Sequence, residues 1–206
     1  MATIIIIAIT ALVSILCFSN EKTFRTLMFN AYDTWNHRRY YQLFSYGLVH
    51  GSWGHLFFNM LTLFFFGSEV EIFFKAIFGD LTGTILYVVL YVTAIAVSSL
   101  ADLYKYRYTA SYNAVGASGA VSAILFAAIL FNPTMGIYIY FIPIPVPAFI
   151  FGPLYLIYCR WMAKRNADNI GHTAHFWGAI YGLVFPILVK PALVIYFFNR
   201  LMESWS

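Results

Sequence analysis

Ser118 stands in the stretch Val115-Gly116-Ala117-Ser118-Gly119-Ala120. Its hydroxyl becomes a useful nucleophile only when a base takes its proton. His175, in His172-Thr173-Ala174-His175-Phe176-Trp177-Gly178, is a base of the right kind, because imidazole exchanges protons near neutrality. A third stretch runs from His50 through His55 to Asn59. His55 and Asn59 are four residues apart, share one helix face and can point at one spot. With the Ser118 N–H, unpaired at a helix start, they are candidates to hold an oxyanion, which is usually the largest catalytic contribution. His50 falls off that face and belongs to the loop leading in, as a supporting residue. No acidic residue falls inside an apolar run beside these groups, so the expectation is a Ser118–His175 dyad without a carboxylate.

Each stretch also has a plainer reading. His55 and Asn59 suit interhelical hydrogen bonds, and Gly119, Ala123 and Ala127 are four apart, as are Ala174, Gly178 and Gly182. Such ridges of small residues let helices approach closely. The two readings converge, because packing one ridge on the other brings His175 towards Ser118.

The elements that must position these groups are apolar helices. Of 206 residues, 62% are hydrophobic and 10% charged, against roughly 45–50% and about 25% in soluble domains. A chain this short has one modest core and cannot hide that excess, so a bilayer is its natural solvent. Six segments approach the roughly 20 residues that cross a membrane: about 3–19, 54–73, 81–100, 115–131, 147–163 and 172–189. The expectation is an all-α membrane protein forming one domain over 1–206. The first run, Thr3 to Phe18, lacks the basic start and cleavage site of a signal peptide and reads as a retained span. Asp102, Lys105 and Arg107 are placed after the third span, Asn132-Pro133 at the end of the fourth, and Lys164-Arg165-Asn166 at the end of the fifth. Pro143, Pro145 and Pro147 forbid a helix interior, so the fifth helix should start near Pro147. Pro153 and Pro186 predict kinks. The loop from about 20 to 53, with Tyr32, Trp35, Tyr40 and Tyr41, should lie against the membrane interface. Cys17 and Cys159 sit in apolar runs and read as small buried hydrophobes. A net charge of +4 without a basic stripe excludes nucleic acid.

Taken together, the residues resemble the rhomboid intramembrane serine proteases over nearly the full chain. The shared pattern is His-x4-His-x3-Asn at His50, His55 and Asn59, Gly-x-Ser-Gly at Gly116–Gly119, and Ala-His-x-x-Gly at Ala174, His175 and Gly178. The resemblance implies a six-span bundle of the bacterial type. It implies hydrolysis of peptide bonds in or near the transmembrane segment of single-span membrane proteins, with Ser118 and His175 catalytic. His55, Asn59 and Ser118 stabilise the oxyanion in that scheme, with His50, Gly116, Gly119 and Gly178 in support. It implies no cofactor and no metal, a bacterial plasma membrane, and an active site on the exoplasmic side. Two positions depart from the commonest pattern: Gln42 stands where an Arg is usual, and Ser122 where an aromatic often lies beneath the histidine ring. Basic residues argue for the opposite orientation. Nine of twelve, including Arg38, Arg39, Lys164 and Arg165, fall on the side the family turns outward, whereas cytoplasmic loops usually carry the excess.

Three rivals make different demands. An inactive rhomboid-like client-binding protein should lack Ser118 or His175, and a small transporter should show charges deep in its spans or two related halves. A metal enzyme built on His50, His55, His172 and His175 should carry a His-Glu-x-x-His element, which is absent. His172 is expected to be structural, and Asn113 either a helix cap or a substrate contact.

Overall fold

The computed structural model of the protein describes residues 1–138, 144–165 and 168–203; Pro143 and Asn166 lie outside them. The chain is mostly helical. Helix α1 spans Ala2–Phe18, and α2 (Glu21–Leu27), α3 (Ala31–Asn36) and α4 (Gln42–Ser45) fold the following segment over one end. Helix α5 (Trp53–Thr62) passes through a π-helical turn at Leu63–Gly67 into α6 (Ser68–Phe78). Next come α7 (Asp80–Tyr106), α8 (Ser118–Phe131), α9 (Ala148–Arg165), α10 (His172–Val189) and α11 (Leu193–Glu203). Two short antiparallel ladders pair β1 (Phe29–Asn30) with β2 (Asn113–Ala114), and β3 (Gly136–Ile137) with β4 (Val146–Pro147).

The apolar runs became helices close to where hydropathy put them, and α9 begins one residue after Pro147. By length and composition, α7 and α10 are long and apolar enough to cross a membrane, while α1 and α8 are shorter apolar helices. Large apolar side chains, among them Ile5, Leu12, Phe65, Leu81, Ile157 and Leu188, stand exposed. Apolar surface on that scale marks a non-aqueous neighbour. Pro153 and Pro186 lie inside α9 and α10.

Two expectations need correction, and one helix was not anticipated. The third helix continues to Tyr106, so Asp102 and Lys105 lie within it and Asp102 is buried. The 20–53 segment is not a plain connection. Asn20 and Asn30 cap α2 and α3 through their side chains, accepting from the N–H groups of Thr23 and Asp33. Helix α11 was not foreseen; Leu193 is buried, and Tyr196 sets its ring 5.6 Å from Phe73 in an edge-on contact.

Helix α8 is the axis of the bundle, with every residue from Gly119 to Phe131 buried. A buried carboxylate on α6 fixes α1 against that helix. Glu71 accepts from the N–H groups of Ala2 and Thr3 and from the Thr3 hydroxyl, and pairs with Lys75 at 2.8 Å. An anion on the free donors of a helix start is favourable.

Candidate active site

Ser118 opens α8, and the turn before it depends on Gly116. That residue has φ +114°, a conformation side-chain-bearing residues avoid, and a Cβ there would strike the His55 ring. The Gly116 N–H donates to the Tyr46 carbonyl at 2.9 Å. The next N–H, of Ala117, donates to Nε2 of the fully buried His50 at 3.4 Å. The Ser14 hydroxyl donates to the Leu48 carbonyl at 2.8 Å, so it accepts from His50 Nδ1–H at 2.9 Å. One tautomer satisfies all three bonds: the proton on Nδ1 and the lone pair on Nε2. Burial, with the His55 ring beside it, lowers the His50 pKa to about 3, which keeps the ring uncharged as that acceptor must be. His50 is thus a strut under the turn that leads into Ser118.

The first helical bond of α8 runs from the Val121 N–H to the Ala117 carbonyl. The N–H groups of Ser118, Gly119 and Ala120 therefore have no acceptor within the helix. His175 lies in the first turn of α10, and its Nε2 is 2.7 Å from Ser118 Oγ. In the arrangement a base requires, the Ser118 hydroxyl donates to that nitrogen. Backbone proximity makes the approach: a Cβ on Gly178 would collide with the Gly119 carbonyl, and one on Gly182 with the Ala123 carbonyl. The two small-residue ridges are in contact, and the packing and catalytic readings share one interface.

A cavity of about 1120 Å³ opens over the pair, lined by Gly116, Ser118, Gly119, His175, His55 and Asn59 among others. Asn59 donates one amide hydrogen to the His55 carbonyl at 2.9 Å, leaving the other for a ligand. His50 and Gly178 lie behind the cavity, the first under Ala117 and the second against Gly119. Asn113 does not cap α8. It sits in β2, accepts from the Asn30 amide at 2.9 Å and donates to the Ser111 carbonyl at 3.1 Å.

Both departures from the expected pattern are filled. Gln42 is buried; it accepts from the Asn30 N–H and the Thr34 hydroxyl and donates to the Thr26 carbonyl, tying together the segment over the site. The Ser122 hydroxyl shares a 2.8 Å hydrogen bond with the Tyr155 hydroxyl of α9, and both line the cavity.

Four contributors were missed. Ser14 was readable as a hydroxyl inside an apolar helix. Tyr155 had no signal, since its partner lies on another helix. Asp102 was placed outside a span, yet it lines the cavity, with its carboxylate facing the hydroxyls of Tyr112, ahead of α8, and of Thr173, two residues before His175. This corrects the expectation that no acidic group lies within a span near the site. Asp168 meets His172 Nε2 at 3.1 and 3.2 Å, and that ring and the Ile170 N–H hold its carboxyl below the usual range. The hydrogen bond of the His175 ring goes to Ser118.

A family model described as Rhomboid domain matches residues 37–192, more than half of the chain. A curated protein named "RHOMBOID-like protein 12, mitochondrial", from Arabidopsis thaliana, is 29% identical over 154 residues. The match covers 71% of this chain and 46% of that protein, so the chain spans about half the length of the curated relative it matches.

Proposed function

The chain belongs to the rhomboid family and is a membrane protein, and on that premise we propose that it is an intramembrane serine endopeptidase. Ser118 attacks the scissile carbonyl of a peptide bond in or near a transmembrane segment, and His175 takes its proton and returns it to the leaving amine. The 2.7 Å contact between Ser118 Oγ and His175 Nε2 at the mouth of the cavity is the observation that supports this most. The Ser118 N–H, His55 and Asn59 are assigned to the oxyanion. No cofactor enters the scheme.

Helix lengths suit the chemistry. The 14 residues of α8 extend about 21 Å at 1.5 Å each, well short of a hydrocarbon core of about 30 Å. With its far end near one surface, its Ser118 end lies below the other, and the cavity supplies the water that hydrolysis needs. In this reading the whole chain is one domain, with six spans formed by α1, α5–α6, α7, α8, α9 and α10. Its substrates are single-span membrane proteins entering from the bilayer.

The amino terminus is placed inside and the Ser118 end on the exoplasmic face of a bacterial plasma membrane, following the bacterial-type six-span core against the bias of basic residues. A membrane-impermeant fluorophosphonate is expected to label wild-type chain in intact cells and in detergent, and to label neither Ser118→Ala nor His175→Ala. Labelling in detergent alone would turn the site to the cytoplasm. A folded wild type that labels no better than Ser118→Ala would leave the client-binding reading in front.

The oxyanion assignment carries its own expectation. His55→Ala and Asn59→Ala should each lower kcat by about 10²–10³ with KM little changed, because the donors act on charge that develops only in the transition state. A rise in KM at constant kcat would make them substrate-binding groups instead.

A further inference from the structure

Around the base, three groups that the reaction does not use in common come together. Cys159 of α9 and His172 and His175 of α10 place one ligating atom each within 4.8 Å of one another. Cys159 and His172 are buried, and Cys159 is a free thiol. His172 has one nitrogen engaged: Nε2 faces the Asp168 carboxylate, while Nδ1 is buried with no hydrogen-bond partner. A buried polar atom left unpaired is costly and calls for an explanation.

The Asp168 contact supplies one. A carboxylate on Nε2 keeps the proton there and leaves the Nδ1 lone pair free, which is how metal-binding histidines are oriented by the residue behind them. A thiolate with two imidazoles is a donor set for zinc, which takes Cys and His in tetrahedral sites and keeps one position open when the protein gives three ligands. In a tetrahedral site of that kind, ligand atoms stand roughly 3.3–3.8 Å apart. The groups here need only draw in by about 1 Å. Access exists, since the catalytic cavity is lined by His172, His175, Asp168 and Met162.

We propose that Cys159, His172 and His175 form an inhibitory Zn²⁺ site, reached through the catalytic cavity, that takes His175 out of the dyad when filled. The inhibition, though not the binding, rests on the protease reading. As the sulfur–zinc bond forms, the thiol proton passes to solvent. Either ring nitrogen of His175 serves. Using Nε2 displaces Ser118, and using Nδ1 puts the ring's single proton on Nε2, where it can no longer accept one from the hydroxyl. This metal opposes catalysis, so the missing His-Glu-x-x-His is no objection to it.

The test uses the full chain in mild detergent, titrated with Co²⁺ as an optical probe and then with Zn²⁺ in competition. The expected result is a thiolate-to-cobalt charge-transfer band in the wild type and in Ser118→Ala, removed by Zn²⁺. The band should be absent from Cys159→Ala and from His172→Gln, with helix content by circular dichroism confirming that both are folded. Asp168→Asn should weaken the apparent affinity by about 10–100-fold. Over the same range of Zn²⁺, fluorophosphonate labelling of the wild type should disappear while that of Cys159→Ala persists. A wild type without the band, or a band that survives Cys159→Ala, overturns the site. A band whose filling leaves labelling untouched overturns the inhibition. If neither wild type nor Cys159→Ala labels without metal, the protease reading is at fault, and the band alone decides the site.

Discussion

Chains carrying Ser118→Ala, His175→Ala or both are expected to be slow by nearly the same factor, about 10⁴–10⁶ in kcat, because a nucleophile and its base act as one unit. The hydroxyl is a poor nucleophile while it keeps its proton, so removing His175 disables Ser118 without touching it. Removing Ser118 leaves the base with no proton to take. Once either is gone, the second loss has little left to subtract, and the double variant falls near the singles. What survives comes from the cavity and its donors, which still position the peptide and favour the oxyanion. The measurement is turnover of a fluorogenic transmembrane-segment peptide by the three variants in liposomes. Losses that multiply would mean two independent roles, and the 2.7 Å contact would then not be the catalytic one. A His175→Ala chain within ten-fold of the wild type would remove the base assignment altogether.

The candidate site was more legible in the sequence than the scaffold around it, and the reason is physical. Ser118, His175, His55 and Asn59 are polar groups in apolar surroundings, costly enough there to stand out one by one. The ridges through Gly119 and Gly178 were legible for the same reason, since small residues at a helical period have few other uses in a membrane. Beyond that ridge contact, the meetings between helices were not legible. Nothing in the spacing of Tyr155 or Ser14 says that one meets Ser122 and the other His50, because those meetings depend on how α9 and α1 lie against the bundle. The end of α7 was misjudged because charge was taken as a boundary. Asp102 continues the helix instead, its buried carboxylate facing hydroxyls that only the fold brings to it. The 20–53 segment failed differently: its helices are four to seven residues long, held by asparagine caps and by Gln42, and no window of hydropathy sees elements that short.

Gly178→Ala is expected to cost about 10² in kcat, and Gly178→Val more, although residue 178 touches no substrate. The Cβ of any replacement would fall on the Gly119 carbonyl, which is backbone and cannot swing aside as a side chain would. Helix α10 must therefore move away from α8, and it carries His175 with it, while Gly119 directly follows the nucleophile. A displacement near 1 Å is enough to lose about 10²-fold, because proton transfer depends steeply on the separation of the two atoms. Overpacking of this kind also destabilises, typically by about 1–3 kcal/mol, so the melting temperature should fall as well. Gly152→Ala separates a local cause from a general one. Its Cβ, on α9, would meet Phe126 and Ile129 of α8 at 3.6 and 3.7 Å, ordinary contact distances, and alanine is the better helix former. That variant should keep its stability and most of its turnover. The decisive comparison is fluorophosphonate labelling at a temperature where Gly178→Ala is still folded. Slow labelling by a folded chain places the defect in the Ser118–His175 separation, whereas wild-type labelling by that chain would mean that the two ridges can part without moving the base.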